Sequence, residues 1–216
     1  MPNSDKALTY ISYLKVDELL SLQQPQSDGP EGPEHDELLF IIIHQTYELW
    51  FKQIIHELGA LQTALEGGDT HRSLALLGRI RTIMKTCVAQ VDILETMTPL
   101  QFNSFRGRLQ SSSGFQSAQF REVEAILGRR DAAGAGAAAG SGMRLAEHLI
   151  EGSPARARVE AAMTRPSLWD STLRYLAARG YAVPAEALER DVTVGYEANE
   201  AVQAVLVDVH RNDPDA

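Results

Sequence analysis

Cysteine is nearly missing from this 216-residue chain. Cys87 stands alone, which excludes an intramolecular disulfide and any cysteine-based metal cluster. Positive charge is in deficit too: 20 Lys and Arg face 29 Asp and Glu, a net charge of −9. Phosphate backbones are bound by clustered Lys and Arg, and the one basic stretch, Arg72 to Lys85, is spaced like an exposed helix face. No nucleic-acid partner is expected. Long hydrophobic runs are also lacking. The longest, Leu38 to Ile43, has six residues, too few to span a bilayer, so no membrane partner is expected. The first ten residues, MPNSDKALTY, hold no apolar signal core, and a cytoplasmic location is the expectation. There is no Gly-rich phosphate loop, no Gly-x-Ser-x-Gly and no His-x-x-x-His or His-Glu-x-x-His zinc pattern. Histidine occurs at 35, 44, 56, 71, 148 and 210, and the residue three before each is never acidic. A Glu-x-x-His di-iron bundle is thereby excluded.

What is present is an ordinary globular balance, 44% apolar and 23% charged residues, in a chain long enough for one sizeable domain. Strand-like alternation does not occur, whereas helix start and stop signals recur. The spacing predicts a helix of about three turns over residues 8–24 and a Pro- and Gly-rich loop over 25–33. A long helix over 36–65 follows, with Asp36 and Glu37 at its positive end, then a Gly67-Gly68-Asp69 break and a helix over 71–97. Thr98-Pro99 restarts a helix as cap and first residue, and periodicity resumes over 115–127. Further helices are expected at 144–151, 155–163, 168–178 and 185–208. Residues 131–142, DAAGAGAAAGSG, read as a flexible loop. The reading is one all-α domain over residues 1–216.

The first half of the long helix, LLFIIIHQTYELWF, is apolar nearly all round, which predicts burial on most sides. His44 interrupts it. A buried imidazole must be hydrogen-bonded, and a core histidine paired one turn on with Glu48 accounts for it as simply as a ligand does. Arg106 lies one turn after Phe102 among apolar neighbours, and a guanidinium there wants a carboxylate. Glu48, Glu95 or a bound acid would serve. Phe40 precedes His44 by one turn, with Phe105 and Phe115 as further aromatics. Histidine, arginine and aromatic rings together suit an aromatic molecule bearing a carboxylate.

Four words carry more than composition: LTYISYLKVDELLSLQQP, HDELLFIIIHQTYELWFKQIIHEL, LETMTPLQFNSFRGRL and SSSGFQSAQFREVEAILG. In this order they resemble the tryptophan 2,3-dioxygenase family, and PSLWDSTLRYLAARGYAVP resembles a later segment of it. The resemblance covers residues 8 to 210 apart from the Gly/Ala loop. It implies a helical haem-dioxygenase bundle, haem b as cofactor, and insertion of both atoms of O2 across the indole C2–C3 bond of L-tryptophan or a similar aromatic amino acid. The product is N-formylkynurenine, the first step of the kynurenine pathway of tryptophan catabolism. Carried over, Phe40 lies against the indole with Ile41, Ile42 and Ile43 beside it, and His44 is the distal catalytic histidine that meets the indole N–H. Arg106 holds the substrate carboxylate. Ser113 and Gly114 match a turn beside the cofactor. Tyr10, Tyr13 and Leu14 match a helix that enters a neighbouring subunit's pocket, implying a homotetramer.

The chain departs from the family's pattern in three places. Phe102 stands where the family has a tyrosine, so a hydroxyl contact worth about 1 kcal/mol is lost. Val91 stands where the family has a tryptophan. The proximal iron ligand, a histidine in a C-terminal WRFRH-like word, and the GTGGSSG-like loop after it find no counterpart. The expectation is a chain short of the family's C-terminal helices, with no metal ligand assigned; His210 aligns upstream of the missing word. Two alternatives stay open, a haem oxygenase of another indole or aromatic amino acid and a homologue without catalytic activity.

Overall fold

A computed structural model describes residues 7–27, 32–110, 112, 114–131 and 144–212. The Gly/Ala loop at 131–142 lies outside them except for Asp131. Ten α-helices and one 3₁₀ turn are found, with no strand among the described residues. The all-α reading is correct.

The chain divides into two compact units. The first comprises Met1–Tyr47 and Ala89–Ser112, the second Glu48–Val88 and Ser113–Ala216. Helices α3 (His35–Glu66) and α4 (Thr70–Leu94) contribute a segment to each.

In the first unit, the helix expected over 8–24 is two short ones, α1 (Tyr10–Leu14) and α2 (Val16–Leu20). Thr9 and Ser12 form a capping box on α1. Lys15 then takes a left-handed conformation, φ 54°, and ends it. Neither glycine nor proline marks that break, so the sequence gives no warning of it. Neither helix buries a residue. The chain beyond α2 is strapped to α3. Gln26 and Ser27 donate their backbone N–H groups to the Glu37 carboxylate at 2.8 Å each, and the Ser27 hydroxyl donates to it as well. Two turns along α3, Gln45 accepts from the Gln23 amide and donates to the Leu22 carbonyl at 3.1 Å. Glu37, read from sequence only as a charge suited to a helix N-terminus, is thus a fully buried anchor. Helix α5 (Pro99–Arg106) begins as expected, with a Thr98–Gln101 capping box and proline in its first turn.

In the second unit, Ile54, Leu58, Leu61 and Leu65 of α3 meet Leu76, Ile80 and Ile83 of α4. Spacings of four and three put each set on one helical face. Val123 of α6 (Ala118–Leu127) completes this core. A second cluster joins α6 to α7 (Pro154–Met163) through Ala125, Val159 and Ala162. Leu145, Ala146 and Leu149 pack into that cluster from a run of turns, where a helix was expected over 144–151. Burial of those three apolar side chains and a hydrogen bond from the Leu145 N–H to the Asp131 carboxylate at 2.9 Å hold the segment. Leu173 of α8 (Leu168–Ala178) packs with Ala187 of α9 (Ala185–Leu188) and Val202 of α10 (Glu200–Asn212). The continuous helix expected over 185–208 is therefore two, and the Arg190 side chain occupies the gap. It grips Asp170 at 2.7 and 3.0 Å and donates to the Val194 carbonyl, fixing the intervening loop.

The expectation that α3 is buried on most sides fails over its first half. Ile43 is 4% exposed, but Leu38 and Ile42 are each 44% exposed and Leu49 53%. A helix apolar all round needs cover on every side, and a single copy of this chain supplies only part of it.

Candidate functional site

The first unit gathers three phenylalanines, one histidine and one arginine from α3 and α5. Phe40 and His44 lie one turn apart on α3, their ring centroids 4.1 Å from each other. Phe102 and Phe105 approach from α5, each 5.6 Å from the Phe40 centroid. Their own rings meet edge to face at 90° and 5.5 Å, a favoured aromatic geometry. Phe105 is fully buried and pins the group to the interior. The Arg106 guanidinium carbon lies 5.6 Å from the Phe102 centroid. His44 and Arg106 therefore belong to one aromatic cluster.

Hydrogen bonding defines what His44 can do. Its Nδ1 stands 2.7 Å from the Phe40 carbonyl. A carbonyl only accepts, so Nδ1 carries the hydrogen, and a neutral ring then offers Nε2 as an acceptor. That polarity suits an indole N–H. The simpler pairing of His44 with Glu48 is not found. The Glu48 carboxylate instead accepts from the Gln119 amide at 2.7 Å, within the second unit. Arg106 is exposed, and among the described residues it has no carboxylate within ion-pair distance. Its N–H donors are available for a bound acid.

The remaining sequence-predicted residues distribute unevenly. Successive helical positions turn by about 100°, so Ile41, Ile42 and Ile43 cannot share a face. Ile43 is core, Ile41 half-buried and Ile42 exposed. Tyr10 and Tyr13 are 76% and 71% exposed and Leu14 45%, so within one copy these three line no interior. Gly114 opens the 3₁₀ turn Gly114–Gln116 in the second unit, and Ser113 lies outside the described residues. Val91 sits on α4, 41% exposed. Sequence reasoning gave Phe105 no role beyond nearness, yet it touches both other phenylalanines. Its signal was spacing, three residues after Phe102. Gln45 and Glu37 were missed, because their partners are 23 and 10 or 11 residues away in a loop.

Fold and cluster define an all-α protein with an imidazole acceptor and, on the same aromatic platform, a guanidinium that has no ion pair among the described residues. Comparison with known proteins makes this particular. The family model described as Tryptophan 2,3-dioxygenase matches residues 2–137. The chain is similar to tryptophan 2,3-dioxygenase of Herpetosiphon aurantiacus, 54% identical over 209 residues, covering 97% of this chain and 75% of that protein. The Anaeromyxobacter sp. (strain K) protein of the same name is 53% identical, with 97% and 73% covered, and that of Bordetella pertussis 41%, with 94% and 66% covered. The chain belongs to the tryptophan 2,3-dioxygenase family.

Proposed function

We propose that this chain binds L-tryptophan at the Phe40–His44–Phe102–Arg106 cluster and serves the haem-dependent conversion of tryptophan and O2 to N-formylkynurenine. One observation carries the binding reading. A fixed acceptor at His44 and an Arg106 with no ion pair among the described residues stand on one stack of rings. Tryptophan offers the complementary set: an indole N–H, an aromatic face and a carboxylate. Two fixed ends convert a mobile ligand into an oriented one, so that one indole edge is presented consistently.

Haem would supply oxygen activation. Of the six histidines, His44 alone is partly buried, and it belongs to the substrate cluster; the other five are exposed. No axial ligand is assigned among the described residues; the roles assigned to this chain's own residues are binding and orientation of the substrate by His44, Arg106 and the ring cluster. Leu8, Tyr10, Ile11, Tyr13 and Leu20, all more than half exposed, support a homotetramer in which α1 of one copy covers a neighbour.

Isothermal calorimetry with L-tryptophan, with and without added haem, tests the reading. His44→Ala and Arg106→Gln should each weaken binding at least about fivefold, and liquid chromatography should detect N-formylkynurenine from the haem-supplied protein. If neither substitution weakens tryptophan binding, the reading fails.

A further inference from the structure

An arginine meant to seize a carboxylate faces a conflict. Left loose, it loses orientation on binding. Held by an acid of the protein, it spends the donors it needs. Arg106 has neither restraint: no described carboxylate pairs with it, and its nearest defined partner is the Phe102 ring one turn earlier on α5. That ring is itself fixed, set at right angles to Phe105, which is fully buried, and tilted at 34° against Phe40.

We infer that Phe102 is a positioning residue for Arg106: its ring orients the guanidinium while leaving the N–H fork free, and so sets the preference for amino acids over amines lacking a carboxylate. A ring face attracts a cation through its quadrupole and takes no hydrogen-bond donor from it. The guanidinium keeps the planar geometry that grips a carboxylate by two parallel bonds. A phenyl ring is sufficient for this task, and the missing hydroxyl at position 102 is no defect in it. The inference rests on the proposed role of Arg106 in carboxylate binding.

The experiment compares L-tryptophan with tryptamine, the same indole without the carboxylate, by calorimetry on the full chain. Phe102→Leu should weaken L-tryptophan binding about two- to fivefold more than tryptamine binding, the range of an exposed cation–π contact. Phe102→Tyr, which keeps the ring, should restore tryptophan binding. A series of singly to triply fluorinated phenylalanines at position 102 holds shape while draining the ring face of charge. Tryptophan affinity should fall along the series more steeply than tryptamine affinity. The series retains the phenyl shape and so serves even where Phe102→Leu fails to fold. Equal effects on both ligands, or no trend with fluorination, would overturn the inference. Arg106→Gln separates the two levels. It should abolish the preference for tryptophan over tryptamine; if the preference survives, the role of Arg106 itself is wrong, whatever Phe102 does.

Discussion

Replacing Glu37 by alanine should release the chain between α2 and α3 while leaving the second unit intact. The carboxylate is fully buried and accepts from two backbone N–H groups and one hydroxyl, those of Gln26 and Ser27. A hydrogen bond to a charged group contributes about 1.5–3 kcal/mol. Gln26 can rehydrate, because it is exposed; Ser27, 5% exposed, cannot without moving. The expected loss is therefore about 3 kcal/mol rather than the full set. For a chain of this length that is a fall of roughly 6–12 °C in Tm. The acid dependence fixes the cause. Burial pushes the Glu37 carboxyl up, but hydrogen bonds from the Ser27 hydroxyl and the Gln26 and Ser27 N–H groups outweigh it, and the group is held below the usual carboxylate range. A lowered folded pKa means that the stabilisation is complete above the unfolded value, roughly 4.3, and is lost as pH falls through the folded value. Urea unfolding at several pH values, followed by circular dichroism, should show the wild type losing stability below about pH 4.3 more steeply than Glu37→Gln. Parallel acid limbs for the two proteins would refute the anchor.

Phe105→Ala should cost about 3–5 kcal/mol, since the ring is fully buried, and should also weaken tryptophan binding by loosening Phe102; unchanged chemical denaturation would contradict its packing. Asp170→Ala should destabilise by about 3–5 kcal/mol, because it strands the Arg190 guanidinium and removes the Ser167 capping contact at once; a thermal melt within experimental error of wild type would count against it. Gly128→Ala should cost about 1–3 kcal/mol, as that residue ends α6 at φ 115°, which denaturant titration reads directly. Burial raises the Cys87 thiol above its usual range, so its reaction with a disulfide reagent at pH 8 should be several-fold slower than that of free cysteine and should speed up on unfolding.

What could be read from the chain followed from local rules. The span of α8, expected over 168–178, and the start of α5 at Thr98-Pro99 were legible, because caps and stops act on neighbours in sequence. His44, Phe40, Phe102 and Arg106 were picked out as odd residues at helical spacing, and the family words around them were enough to name the chemistry. The breaks at Lys15 and at residues 189–199 were not legible. The first is held in a left-handed turn that no glycine announces, and the second is held by Arg190 reaching back 20 residues to Asp170.

The sequence by itself determined an all-helical, acidic chain of the tryptophan 2,3-dioxygenase family, because periodicity, caps and family words are properties of short stretches of residues. Only the tertiary structure decided that His44 bonds to the Phe40 carbonyl instead of Glu48, that Arg106 rests by a phenyl ring with no acid of its own, and that Glu37 is an anchor. The partners of His44 and Arg106 lie one turn away, but what left them without an acid is set at a distance: Glu48 is taken by Gln119, 71 residues on, and the Glu37 donors lie ten and eleven residues back, a proximity that no helical spacing encodes.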